Sequence, residues 1–225
     1  MKKIWLLCIF LISGAVHAQN LQLHYDFRQS DNPVLDRGYP TATLEMFQPD
    51  DFGATFWFVD MDFDTPDNGM NLAYWELARY FSLGEETGLS LTLQFNDGVT
   101  TTGSLPRAWL AGISYLFNIG DWSLPVDLLY RHAQGSQGAD FQLTMVWDKT
   151  IWDDRIQLVG YIDLWTQDPL VRKNREKEVA VQAEPQIWYR LPAGLSIGGE
   201  IEISRYFLPV EHWQAYPTLG VKWQF

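Results

Sequence analysis

Cysteine is almost missing from this chain. Of 225 residues only Cys8 is one, and it lies within the apolar run at residues 4–12. If that run is a removable leader, the mature protein has no thiol, which excludes disulfides, cysteine metal sites and cysteine nucleophiles. Positive charge is scarce as well: 16 Lys and Arg stand against 28 Asp and Glu, for a net charge of −12. That sign disfavours nucleic acid as a partner. After the leader no stretch approaches the roughly 18 apolar residues that a spanning helix needs. H-E-x-x-H, G-x-S-x-G and a phosphate-binding glycine loop are all absent, and nothing calls for a cofactor or a resident metal.

What the chain has is a leader, aromatics and alternation. Lys2 and Lys3 precede the apolar run, and Val16-His17-Ala18 precedes Gln19. This is the layout of a secretory signal peptide, so residues 1–18 read as the signal and 19–225 as the mature domain. Aromatics make up 15% of the chain, with 11 Trp. Membrane barrels use Trp and Tyr in girdles at both interfaces. Mean hydropathy is only −0.16, a value that barrel strands produce when one polar face cancels one apolar face.

About twelve segments read as strands of roughly the 9–11 residues that a tilted spanning strand needs. They lie near 21–28, 41–48, 52–63, 71–82, 89–97, 107–118, 122–133, 139–148, 155–166, 178–191, 194–207 and 215–225. Leu89, Leu91, Leu93 and Phe95 alternate with Ser90, Thr92, Gln94 and Asn96, and Phe141, Leu143, Met145 and Trp147 alternate with Gln142, Thr144 and Asp148. The final strand sets Leu219, Val221, Trp223 and Phe225 against Gly220, Lys222 and Gln224. Period two with one apolar face is the strand signature. A closing strand that ends on Phe resembles the C-terminal strand of bacterial outer-membrane β-barrels, which the barrel-assembly machinery recognises.

Short links near 48–51, 84–88, 118–121 and 191–194 alternate with longer ones at 29–40, 64–70, 98–106, 133–138, 167–177 and 208–214. Short periplasmic turns and longer outer loops give this order in an outer-membrane barrel. The link at 149–154 is intermediate, and the first two segments are weak, so ten strands remain an alternative to twelve. A soluble β-sandwich or lipocalin would also alternate. The length of the segments, and a polar face rich in carboxylates and aromatics, argue against it. The fold class is therefore an all-β, antiparallel transmembrane barrel in the outer membrane, with lipid and lipopolysaccharide around it. The charge run at residues 172–177 reads as a solvated outer loop.

If the apolar face meets lipid, the other face lines the lumen. Phe56, Phe58, Tyr74, Tyr80, Tyr161, Trp165 and Trp188 are its candidate stacking surfaces. Asp60, Asp62, Glu76, Asp163, Glu184 and Glu200 are its candidate acceptors. Arg28, His24, Arg131 and Lys222 fall on the same face. Aromatics interleaved with carboxylates make a path for a small polar solute that carries a ring, and the carboxylate excess repels phosphates. A barrel of this size has a lumen between filled small barrels and wide porins. The competing chemistry is lipid hydrolysis or acyl transfer, for which His132 and Ser136 are the first pair to test. A closed structural barrel with a salt-bridged interior is the third reading.

Four stretches carry a family likeness: residues 56–62, 75–82, 158–165 and 220–225. With them the chain resembles the nucleoside-specific outer-membrane channel family (Tsx-like), and more closely its small uncharacterised Bacteroidetes-type relatives. The resemblance implies a flattened twelve-stranded barrel that passes nucleosides through weak sites, with Phe56, Phe58, Asp60 and Glu76 lining the pore. It also implies a non-enzymatic protein. Ala78 and Tyr80 stand where that family places a second acid and an Arg, and Arg79 is predicted to point outward.

Overall fold

Alternating side chains on a strand leave two faces, and the structure puts the polar one inside. The computed structural model describes residues 19–27, 38–64, 69–84, 86–170, 176–207 and 211–225. The expected signal segment, Arg28 and residues 172–175 lie outside them. In chain order the strands are β1 (Gln19–Asp26), β2 (Pro40–Asp50), β3 (Gly53–Asp62), β4 (Leu72–Ser82), β5 (Leu89–Thr100), β6 (Gly103–Ser104), β7 (Ala108–Ile119), β8 (Trp122–Ala133), β9 (Asp140–Ile151), β10 (Ile156–Gln167), β11 (Glu178–Ala183), β12 (Gln186–Arg190), β13 (Leu195–Arg205) and β14 (Gln214–Gln224).

All pairings are antiparallel, and β1 pairs with both β2 and β14, which closes the sheet. The two-residue β6 pairs only with β5 and belongs to an outer loop. β11 and β12 are one spanning strand. Their register against β10 is unbroken, Ile162 facing Ala183 and Val159 facing Gln186. The interruption falls at Pro185, which has no N–H for the ladder. The barrel therefore has twelve spanning strands, and the ten-strand alternative is ruled out. The link read as intermediate is a four-residue turn, 152–155, in which Trp152, Asp153 and Asp154 all take positive φ. Left-handed Asp is tolerated in turns better than most residues. Strand β5 also runs on to Thr100, past the expected end at residue 97.

The outside is apolar. Leu91, Leu93, Ile113, Leu128, Ile187 and Val221 are among its exposed side chains, whereas the buried set holds Gln22, His24, Gln94, Asn96, Asp127 and Lys222. This is the reverse of a soluble β-protein. Only a closed barrel can carry such a band through hydrocarbon, because closure pairs every backbone N–H and C=O in the wall. Exposed Phe52, Phe117, Trp152, Trp223 and Phe225 gather at the short-turn end, and exposed Tyr25, Phe27, Trp109, Tyr130, Phe141 and Trp213 at the long-loop end. These are the two aromatic girdles. The protein is an outer-membrane β-barrel.

One inner packing feature depends on glycine. Across four adjacent strands the register sets Trp188 beside Gly198, Gly198 beside Gly220, and Gly220 beside His24. The fully buried Trp188 ring lies over this row and meets His24 edge-on at 5.4 Å. A Cβ on Gly198 would sit 2.9 Å from Trp188 Cε3 and 2.0 Å from the Ile187 carbonyl oxygen. Overpacking of this kind costs about 1–3 kcal/mol, and removing a buried Trp about 3–5 kcal/mol. Gly198→Val is accordingly expected to lower the urea midpoint of the refolded barrel, and Trp188→Ala to lower it further. Unfolding followed by the loss of heat-modifiable electrophoretic mobility checks both.

Candidate functional site

The strand register places all thirteen candidate residues on the inner face. Phe56 pairs with Ala78, Phe58 with Glu76, Asp60 with Tyr74 and Tyr80 with Ala54 on β3 and β4. Asp163 pairs with Thr144 and Gln182, and Trp165 with Gln142 and Ala180. Glu200 pairs with Gln186 across from Glu184. Within that face two environments separate. Trp188 is fully buried, Trp165 and Asp62 keep only 8% of their surface each, and the Tyr80 hydroxyl is committed to Asp127 at 2.9 Å. Tyr39 and Thr41 both donate to Asp62, at 3.0 and 2.8 Å. Phe56, Phe58, Asp60, Tyr74, Glu76, Tyr161, Asp163, Glu184 and Glu200 are half-buried.

The packed half of the interior lies under β5, β7 and β8. Ala108, Leu110 and Leu129 form a buried apolar cluster there, and Asp127 accepts from both Tyr80 and Gln94 at 2.9 Å. Leu110 and Leu129 are inner residues that carry no polar group to mark them. The inner face of β7 carries Ala108, Leu110 and Gly112 before the buried Ser114, so its polar signal is weak, and pairing with β5 and β8 reveals which way it points.

The wet half carries the candidate path. Phe56, Phe58 and Tyr74 form a file in which successive ring centroids are 6.0 Å apart. Each carboxylate beside it has a bond to the wall: Thr43 to Asp60 at 2.5 Å, Tyr74 and Asn96 to Glu76 at 2.5 and 2.8 Å, Thr144 to Asp163, and Gln186 to Glu200 at 2.8 Å. A carboxylate offers about four lone-pair positions, so capacity remains on the lumen side. Across the lumen, Asp60 is in Coulombic range of Glu184 and Glu200, and Glu76 of Asp163. Cations on this face include Arg131, which stacks on Trp165 at 5.8 Å, and Lys222, which lies 4.6 Å from the Trp188 ring and donates to Gln157 at 2.8 Å. Asn96 Oδ1 is buried without a hydrogen-bond partner. Such an orphan costs about 1–3 kcal/mol. Among the described residues no group of His, Cys, Asp and Glu is arranged to hold a metal.

At the long-loop end Ser136 is not joined to His132. His132 sits opposite Trp109 on the outer, exposed face. Ser136 Oγ donates to the fully buried Asp140 and accepts from Lys177 Nζ at 3.1 Å. Lys177 also reaches Asp140 at 2.9 Å and Asp168 at 3.0 Å. Burial works to lower the Lys177 pKa, but the bonds to Asp140 and Asp168 outweigh it and raise the pKa above the ordinary lysine value. An ammonium held this way cannot take a proton from Ser136, so the cluster ties two outer loops together and does not form a nucleophile–base pair.

Asp168 is lowered from its ordinary 3.8, first by the Gln137 N–H and then by Lys177. A depressed carboxylate stabilises above its unfolded pKa and loses that contribution as pH falls through its folded pKa. Asp168→Asn is therefore expected to lower the urea midpoint at pH values above the ordinary carboxylate range, and that effect should fade as the pH falls through the depressed folded pKa. The size should be that of an exposed pair, about 0.2–1 kcal/mol. Urea titrations of both proteins across that range check it.

The barrel is similar to solved outer-membrane structures. The NanC porin aligns with a TM-score of 0.60 at 10% identity, over 92% of this chain and 100% of the other. The KdgM porin aligns at 0.51 and 11%, over 92% and 98%. LpxR from Salmonella typhimurium aligns at 0.50 and 8%, over 92% and 99%. These likenesses establish the fold. No functionally curated protein matches the sequence. Residues 18–225 match the family described as "Domain of unknown function (DUF5020)", and the chain belongs to that family.

Proposed function

We propose that this protein is a passive outer-membrane channel for nucleosides or similar small polar solutes. The observation that carries the reading is the aromatic file Phe56–Phe58–Tyr74, set beside half-buried carboxylates on both walls of the lumen. Rings along the file offer stacking surfaces, and Asp60, Glu76, Asp163, Glu184 and Glu200 offer acceptors to hydroxyl and amino groups. Selectivity then comes from contacts strong enough to admit a solute and weak enough to release it. The likeness to the NanC and KdgM porins supports a channel role on the same fold. The likeness of residues 56–62 and 75–82 to nucleoside-specific channels supports the finer solute class.

The reading makes the protein a channel and not an enzyme. The commitment of Ser136 to Asp140 and Lys177, and the outward position of His132, support that choice over lipid hydrolysis. The apolar-alternating β14 supports insertion by the barrel-assembly machinery.

Single-channel recording of the refolded protein in a planar bilayer tests the proposal. Small conductance steps that nucleosides block, and simple sugars do not, are the expected result. Phe58→Ala should raise the half-blocking nucleoside concentration by about tenfold, since a stacked base contributes roughly 1–3 kcal/mol. Asp60→Asn should also weaken block. A folded barrel without conductance would favour the closed structural barrel, and unchanged block in both variants would overturn the assignment of the path.

A further inference from the structure

Arg131 is a cation on the inner face that the wall holds but does not bond. It lies near the long-loop end of β8, opposite Leu110 on β7 and Asp140 on β9. The side chain is half-buried, and among the described residues it makes no ion pair and no hydrogen bond. Asp140 is not its partner, because that carboxylate already accepts from Ser136, Thr166 and Lys177. Glu76 and Asp163 are in Coulombic range, but their wall-side donors are Tyr74, Asn96 and Thr144. A cation that served only to neutralise the wall would sit in a pair, as Lys177 does with Asp140 and Asp168.

Arg131 is nonetheless fixed in place. Its guanidinium lies over the Trp165 ring at 5.8 Å. That ring is itself anchored, by its N–H bond to Gln167 at 2.7 Å and by Phe207 edge-on at 6.0 Å. Gln167 is tied in turn to Glu178 at 3.1 Å and to the Tyr206 carbonyl at 2.8 Å. Stacking occupies the face of a guanidinium and leaves its planar fork of N–H donors free along the edge, the geometry that grips a carboxylate with two bonds. The acids nearby decide which carboxylate can enter. Glu76 and Asp163 repel a bare anion, but they attract the ammonium of a solute that carries both charges.

Resting on the channel reading, we propose that Arg131 is the carboxylate-binding residue of a lumen subsite for zwitterionic solutes, α-amino acids with a ring side chain. The solute carboxylate takes the Arg131 fork, its ammonium turns toward Glu76 and Asp163, and its ring lies along Phe58 and Tyr74. Neither charge suffices alone: a bare carboxylate meets the acids, and a bare ammonium meets Arg131.

The test is binding of three related probes to the refolded barrel in detergent, measured by calorimetry: phenylalanine, phenethylammonium, which lacks the carboxylate, and 3-phenylpropanoate, which lacks the ammonium. Phenylalanine is expected to bind at least about tenfold tighter than either, the size of a charge-assisted contact. Arg131→Gln should remove that advantage over phenethylammonium. Arg107→Gln, on an exposed cation in the link before β7, should change nothing. Phenylalanine that binds no tighter than phenethylammonium would overturn the role of Arg131, as would an advantage that survives Arg131→Gln. Phenylpropanoate that binds as tightly as phenylalanine would overturn the zwitterion preference. The probe comparison in the unsubstituted protein decides the matter even where the variant fails to fold. Bilayer recording separates this inference from the reading beneath it. Conductance without the phenylalanine preference sinks the subsite and keeps the channel. The preference in a barrel that does not conduct keeps the subsite and sinks the channel.

Discussion

Closure of the sheet is the constraint on which everything else rests. Once β1 pairs with β14, no strand edge is left, and the backbone makes no demand on its surroundings. The outer face can then be apolar and the inner face largely polar. That inversion in turn forces the interior to satisfy its own polar groups, since a buried polar group without a partner is costly. The bonds from Tyr80 and Gln94 to Asp127, from Tyr39 and Thr41 to Asp62, and from Lys222 to Gln157 are consequences of a closed wall around a narrow space.

The interior meets that demand unevenly, and the unevenness is what suggests a function. Under β5, β7 and β8 apolar residues and paired amides leave little surface free. Along β3, β4, β10 and β11 to β13 the carboxylates are half-buried, and several face one another across the lumen. Like charges in one narrow space are tolerable only with water or counter-cations among them. The packed side gives the barrel a rigid wall, and the wet side gives it a surface on which a solute can be held.

Much of this was legible in the sequence, for a specific reason. Period two is rigid: Leu89 to Asn96 can face only one way once either face is known, and the single bond between Trp188 and Gln186 on neighbouring even positions follows the same rule. Hence all thirteen candidate residues fall on the inner face. Illegible were the features that depend on neighbours distant in sequence. β7 presents Ala108, Leu110 and Gly112 inward, with Ser114 as its buried polar residue. Ser136 finds Lys177 and Asp140 through loop packing, and its nearness in sequence to His132 is misleading because residue 132 points to the opposite face. Pro185 removes a ladder N–H inside the strand read over residues 178–191, yet both neighbouring strands hold the register across it, as that reading requires.

The glycines make the same point in the opposite direction. Gly198 and Gly220 fall on the inner faces of β13 and β14 without a side chain to place there. In the barrel they lie side by side: a Cβ at Gly198 would meet the Ile187 carbonyl oxygen and the Trp188 ring, and one at Gly220 the Leu23 carbonyl oxygen and the His24 ring. The adjacent strand's backbone and the inner rings of Trp188 and His24 together leave room only for glycine at these two positions. Bulk is therefore concentrated on β12 while β13 and β14 stay thin, and the wall there is filled by one anchored ring held between Lys222, Gln186 and His24. Trp188 is thereby fully buried, whereas Phe56 and Phe58, paired with the small Ala78 and the flexible Glu76, keep part of their rings free.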